Sequence, residues 1–158
     1  MKTAVVLSDT HGNMKFINEL DGIFKECDYI IHLGDTSSDG AKIRSLYPEK
    51  TLLVNGNCDL VKLGEDELII EIENVKIFAA HGHLYSVKST LVKLAKRAEE
   101  LGCKYALYGH THRKNEQVLE GVTLLNPGTG SRYADKSYLY LVINGENVTY
   151  KTVLKQSD

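Results

Sequence analysis

The sequence predicts an α/β (α+β) fold in which two packed mixed β-sheets are flanked by helices. Three observations carry that expectation. Five short apolar runs each stop on a polar residue, the first part of the chain alternates strand with helix, and the last part is strand and turn. The runs are AVVL before Ser8-Asp9-Thr10-His11, YIIHL before Gly34-Asp35, TLLV before Asn55-Gly56-Asn57, KIFAA before His81-Gly82-His83, and YALY before Gly109-His110-Thr111-His112. Runs of this length, rich in Val, Ile, Leu and Tyr and bounded by Gly or polar residues, read as buried strands.

The first run is a strand, and Ile17, Leu20, Phe24 and Cys27 then recur on one helical face, with Asn13 placed to cap it. A second strand spans 29–33, a short helix 38–46 ends before Pro48, and a third strand covers 51–55. This β-α-β-α-β order implies parallel pairing with right-handed crossovers. Leu68, Ile70 and Ile72 alternate with polar residues, Glu73-Asn74 turns the chain, and Val75 and Ile77 resume the pattern. That is an antiparallel hairpin with an exposed outer strand. Val87, Leu91, Leu94, Ala95, Ala98 and Leu101 give the best amphipathic helix, ended by Gly102. A strand at 105–108 follows, then strands at 117–119, 122–126, 137–143 and 147–154 with turns at Glu120-Gly121 and Gly145-Glu146. About ten strands exceed what one open sheet usually holds, hence two sheets. Residues 1–158 read as a single domain without linker or repeat, and the charged tail after Leu154 reads as frayed.

Composition narrows the function. Hydrophobic residues at 42% and charged residues at 25% are ordinary for a globular chain of 158 residues. A net charge of −2 gives no general attraction to nucleic acid or anionic membrane, so neither is expected as a partner. The nine tyrosines scatter along strands and form no base-stacking platform. No apolar stretch approaches the roughly 20 residues of a membrane span. The first strand is too short for a signal-peptide core, so the expected location is cytoplasmic. Cys27, Cys58 and Cys103 make no CxxC, which argues against a disulfide framework or a thiolate zinc site. Cys27 and Cys103 read as small buried apolar side chains.

The carboxyl ends of neighbouring parallel strands converge on one rim, where open α/β sheets bind ligands. That rim would gather Asp9, His11, Asp35, Asn57, His81, His110 and His112. Asp9 with His11, and His110 with His112, stand two apart, and an extended backbone would project each pair to one side. Carboxylate, imidazole and amide oxygen suit Mn, Fe, Zn, Co or Ni. Seven such ligands exceed one ion's share. They suit two ions roughly 3.5–4 Å apart sharing a carboxylate, an arrangement that activates water and clamps an in-line phosphoryl displacement. His32, among apolar neighbours, reads as a core histidine, and Asp39 as a helix-start residue. Asp59 reads either as a turn cap or as a contact of the site. Ser131 and Arg132 lie in a loop of turn formers, with phosphate contact as the alternative.

In this order, Asp9-x-His11, Gly34-Asp35, Gly56-Asn57-Cys58-Asp59, His81-Gly82-His83 and Gly109-His110-Thr111-His112 resemble the calcineurin-like metallophosphoesterases. The short length and Asn126-Pro127-Gly128 are similar to the small bacterial and archaeal phosphodiesterase branch, over residues 3 to about 150. The resemblance implies a metallophosphoesterase-like four-layer sandwich and a metal-dependent phosphodiesterase acting on a small phosphate ester. It implies two divalent metal ions, Mn²⁺ first and Ni²⁺, Fe²⁺, Zn²⁺ or Co²⁺ as alternatives. One would take Asp9, His11, Asp35 and His112, and the other Asp35, Asn57, His81 and His110, with Asp35 bridging. A hydroxide shared by the ions would attack phosphorus, so Asp35, Asn57 and His81 are the implied catalytic residues. Asn57, Cys58 and His83 are the implied substrate contacts.

One position departs from the family, where a His commonly follows the Asn and serves phosphate binding and leaving-group protonation. Here it is Cys58, a poor hydrogen-bond donor with a reference pKa of about 8.5. Weaker leaving-group assistance, and so a preference for activated diesters, is the consequence. Two rival readings are a non-catalytic interaction scaffold of the same fold, as in a membrane-trafficking coat, and a hydrolase of nucleotide or dinucleoside polyphosphates. A scaffold has no need of all seven ligand types. The exposed hairpin edge leaves a homo-oligomer open.

Overall fold

Ala4 and Val6 point one way from the first strand and Val5 and Leu7 the other, and all four are buried. A strand apolar on both sides has to be covered on both, and that requirement builds the architecture. In a computed structural model, which describes residues 1–155, the chain runs β1 (Lys2–Leu7), α1 (Met14–Glu19), α2 (Asp21–Glu26), β2 (Tyr29–His32), α3 (Ser37–Leu46), β3 (Thr51–Leu53), β4 (Glu67–Ile72), β5 (Val75–Ala80), α4 (Val92–Glu100), β6 (Tyr105–Leu107), β7 (Asn115–Leu119), β8 (Val122–Asn126), β9 (Lys136–Asn144) and β10 (Asn147–Lys155). They form two five-stranded mixed sheets, β10-β9-β1-β2-β3 and β4-β5-β6-β8-β7. Each holds a parallel trio, β1, β2 and β3 with antiparallel β9 and β10 beyond β1, and β5, β6 and β8 with an antiparallel strand on either side.

The sheets pack face to face over Ala4, Val6, Ile31 and Leu139 from one side and Ile70, Ile77, Ala79 and Leu125 from the other. Val5, Leu7 and Ile30 meet Phe16, Leu20, Phe24 and Ile43 of the three N-terminal helices, and Phe78 and Ala106 meet Leu94 and Ala98 of α4. The result is four layers, helix–sheet–sheet–helix. Burying each large aliphatic side chain contributes about 1.5–3 kcal/mol. No helix among the described residues is long and apolar enough to cross a membrane.

Apart from shifts of one or two residues at other element ends, three departures from the sequence expectation stand out. The first helix is two, because Leu20 closes α1 by bonding to the carbonyls of Ile17 and Asn18 and then opens α2. Asn13 caps α1 as expected, accepting from Phe16 N–H. The fourth helix starts at Val92, not near Val87, since Ser86 takes a left-handed backbone and the chain turns through Ser89 and Thr90 first. Val87 still packs with α4, held from outside the helix. The third strand keeps only Thr51–Leu53 in its ladder, and Val54 bridges to Glu65 instead. Of the tail expected to fray, Lys155 closes β10, and 156–158 lie outside the described residues.

Candidate metal centre

Parallel pairing of β1 with β2, β2 with β3 and β5 with β6 sends the loops after these strands to one edge of the sandwich. Those loops carry the residues singled out by sequence. The chain there is unlike an extended strand: Asp9, His11, Asp35, His110 and His112 have φ of 54°, 45°, 47°, 68° and 63°. Residues two apart are therefore not aligned here by an extended backbone. Left-handed backbone at both His110 and His112 lets them diverge. His112 Nε2 reaches to within 3.4 Å of His11 Nε2, while the His110 ring lies 5.0 Å from that of His81.

Asp9 is completely buried at the centre of this arrangement. Its Oδ2 accepts from Ser8 Oγ at 2.5 Å and from the His110 N–H at 3.0 Å. Its Oδ1 has no hydrogen-bond partner. Around that oxygen stand His112 Nε2 at 3.2 Å, His81 Nε2 at 3.8 Å and His11 Nε2 at 3.9 Å. Two trios result, each with ligand atoms within 4.8 Å of one another: Asp9, His11 and His112, and Asp9, Asp35 and His81. Asp9 is common to both, whereas Asp35 stands with the second.

The second trio is the more confined. His81 donates from Nδ1 to the Leu33 carbonyl at 2.7 Å, which leaves Nε2 facing Asn57 Oδ1 at 3.0 Å and Asp35 Oδ2 at 3.4 Å. Burial opposes ionisation of Asp35, yet His81 and the Cys58 N–H, 2.9 Å from Oδ1, hold its carboxyl well below the usual range. Burial likewise opposes a charged His81, and Asp35 and Asp9 raise it above its ordinary value. Acceptors thus converge on a small buried volume without enough donors to satisfy them. Divalent cations fit that deficit, and the N/O donor set is of the kind that binds Mn, Fe, Zn, Co or Ni. His110 is pushed down by burial, His81 and Lys88, and His112 is raised chiefly by Asp9.

Close approach of the loops demands glycine at two points. A Cβ on Gly56 would sit 2.0 Å from Asp35 Oδ1, and one on Gly109 would sit 2.1 Å from Ser8 Oγ. Behind the candidate ligands lies a network whose members Asp59, Asp39 and His32 the sequence flags, though not their connections. Buried Asp59 accepts from the Asp35, Gly56 and Ser37 N–H groups at 3.1, 2.7 and 2.6 Å, fixing two ligand loops to each other. Asp39 does begin a helix, but its Oδ2 also accepts from Thr10 Oγ1 at 2.6 Å and Gly12 N–H at 2.8 Å. Thr10 in turn accepts from His32 Nε2 at 2.9 Å, while His32 Nδ1 accepts from Gly34 N–H. His32 is thereby a fully buried strut between loops, and burial lowers its pKa. Thr129 Oγ1 donates to the Asp9 carbonyl at 2.8 Å, tying the loop after β8 to the centre.

The remaining implied contacts sit at the opening. Asn57 and Cys58 are exposed, and burial of the thiol with Asp35 beside it pushes the Cys58 pKa up. His83 is half-buried, its ring 5.4 Å from His81 and 6.1 Å from His110, and its Nδ1 is without a partner. Arg132 reaches the Gly12 carbonyl at 3.4 Å, and Ser131 is buried in its turn.

Comparison with known proteins points the same way. The calcineurin-like phosphoesterase superfamily domain matches residues 1–147. The chain is similar to the probable metallophosphoesterase YsnB of Bacillus subtilis, at 37% identity over 79% of this chain and 73% of that one. It is 25% identical to a phosphodiesterase of Methanocaldococcus jannaschii, covering 94% of this chain and 96% of the other. A crystal structure of a predicted phosphoesterase from Streptococcus pneumoniae superposes with a TM-score of 0.82 at 26% identity, covering 97% and 89% of the two chains.

Proposed function

Because the chain belongs to the calcineurin-like phosphoesterase superfamily, we propose that it is a metal-dependent phosphodiesterase acting on small phosphate esters through two divalent cations. The observation that carries this reading is the orphaned, fully buried Asp9 Oδ1 facing His11, His81 and His112. Asp9, His11 and His112 would hold one cation, with Asp35 as the carboxylate shared with the other. Asp35, Asn57 and His81, with His110 beside them, would hold the other. When bound, such cations supply Lewis acidity and a water whose pKa is brought near neutrality, with Mn²⁺ the first choice by resemblance to the family.

The chain's own residues do the positioning. Leu33 carbonyl fixes the His81 tautomer so that Nε2 presents its lone pair inward. The Cys58 N–H orients Asp35, and Asn57 aims its carbonyl oxygen at the same point. Asn57, Cys58 and His83 border the opening where a phosphoryl group would enter. A scaffold offers no return for this arrangement, since burying uncompensated carboxylates costs several kcal/mol each. The proposed substrate is a small ester; a net charge of −2 gives no broad attraction to extended nucleic acid. A cytoplasmic setting is part of the proposal, in keeping with three free cysteines.

The test pairs metal analysis with hydrolysis of bis(4-nitrophenyl) phosphate and 4-nitrophenyl phosphate, adding Mn²⁺ or Ni²⁺. The diester should be turned over faster. Asp35→Ala should lower both bound metal and turnover, the latter by about 100-fold or more. Unchanged turnover in Asp35→Ala would refute the reading.

A further inference from the structure

Thr111 separates His110 from His112, and beside it opens a groove of about 810 Å³. One wall is the segment that precedes α4, and the other is the chain leading into β7. Lys88, Arg113 and Lys114 stand on these walls, all solvent-exposed, and no carboxylate lines the groove. Three exposed lysines elsewhere are paired, Lys2 with Asp28, Lys25 with Asp21 and Lys62 with Asp66, but what sets the groove apart is that its cations share one concavity. Among the described residues none of the three groove cations forms an ion pair. In a chain of net charge −2, three uncompensated cations in one concavity make a local attractor for anions.

None of the seven candidate ligands lines the groove, and the chain itself is what joins it to the centre. Arg113 directly follows His112, so its Cα lies about 3.8 Å along the chain from that of a candidate ligand. Its floor is made partly by buried Val87 and by Tyr108, whose hydroxyl accepts from Asn115. Apolar floor and cationic rim together match an organic spacer ending in an anion. The volume is that of a small-molecule site, roughly 300–1,000 Å³, and far exceeds one phosphate.

We infer that the groove receives a second phosphate of the substrate, one that is not cleaved, carried on an organic arm of the ester at the metal centre. The substrate class is then a phosphodiester with an additional terminal phosphate. This rests on the phosphoesterase reading above, and its test is arranged so that the two can fail separately.

The probes are 4-nitrophenyl diesters whose other arm ends either in phosphate or in hydroxyl, with two-, four- and six-carbon spacers, given to the Mn²⁺-supplemented full chain. At one spacer length or more, kcat/KM for the phosphate-ended ester should exceed that of its hydroxyl twin by about tenfold, chiefly through KM. The double variant Arg113→Gln/Lys114→Gln should abolish that margin, and Lys151→Gln, on exposed β10, should preserve it. Calorimetry on the metal-free chain gives a second readout, in which hexane-1,6-bisphosphonate should bind about tenfold more tightly than 6-hydroxyhexylphosphonate and lose that margin in the double variant. Turnover of both esters with no margin, or the same loss in Lys151→Gln, would overturn the groove and leave the phosphoesterase reading intact. No turnover of any ester, with the bisphosphonate margin present, would overturn the phosphoesterase reading and uphold the groove.

Discussion

Around Asp35 and His81 the side chains are held from behind by backbone groups, whereas His11 and His112 lean on each other and on Asp9. His81 is fixed by the Leu33 carbonyl, Asp35 by the Cys58 N–H, and the loops beneath them by Asp59. His11 and His112 approach at 3.4 Å across the rim, and the His112 side chain is 42% exposed. On the proposed two-cation reading, exposure means that the outer position would be ordered largely by the ion it binds. The inner position is ordered in advance. Preorganisation of that kind makes for tighter binding, because less side-chain freedom is lost when the ion arrives.

The contrast can be broken most directly at its two histidines. His81→Ala should reduce turnover on the order of 10³-fold and strip the inner ion even at excess Mn²⁺, beyond the 10–100-fold typical of outlying partners. His112→Ala should lose on the order of 10²-fold and recover in part as Mn²⁺ is raised. Metal stoichiometry across a Mn²⁺ titration distinguishes them; identical losses and identical recovery would erase the difference. Asp59→Asn sharpens the contrast from behind. The amide cannot accept on both ends, so the N–H of Ser37 or those of Asp35 and Gly56 lose their partner. Inner-ion affinity should fall by about 10–100-fold, measured by competition with a chelator. If the His11–His112 position weakens equally, the two are not separately supported.

How much of this could be read from the chain depends on what kind of signal each residue leaves. The strands ending at Asp9, Asp35, His81 and His110 were legible because apolar runs and glycines are local patterns. Two packed sheets followed from their number. Asp59 was legible as a cap or site contact but its far partners were not, and Thr10 was hidden, since these partners are backbone N–H groups and side chains delivered by distant loops. A carboxylate in a row of turn formers looks like any cap. The break at Leu20 and the late start of α4 were illegible for the opposite reason: apolar spacing continues smoothly through both. Hydrophobic period reports which way side chains must face, not whether the backbone stays helical between them.

The smallest expected effect lies at the opening. Cys58→His should raise turnover severalfold on alkyl leaving groups and hardly at all on 4-nitrophenol, since only the poor leaving group needs a proton donor. Equal gains on both would show that Cys58 does not limit protonation.

Five of the proposed ligand residues, Asp9, His11, Asp35, His110 and His112, adopt backbone that glycine accepts freely and other L-residues resist by about 1–2 kcal/mol each. Asp and His tolerate it better than most, which softens the penalty without removing it. Selection for heat tolerance alone would therefore drift toward glycine at the very places where chemistry needs a side chain. A laboratory lineage evolved that way, with metal withheld, should end as a sturdier and silent copy of the same sandwich.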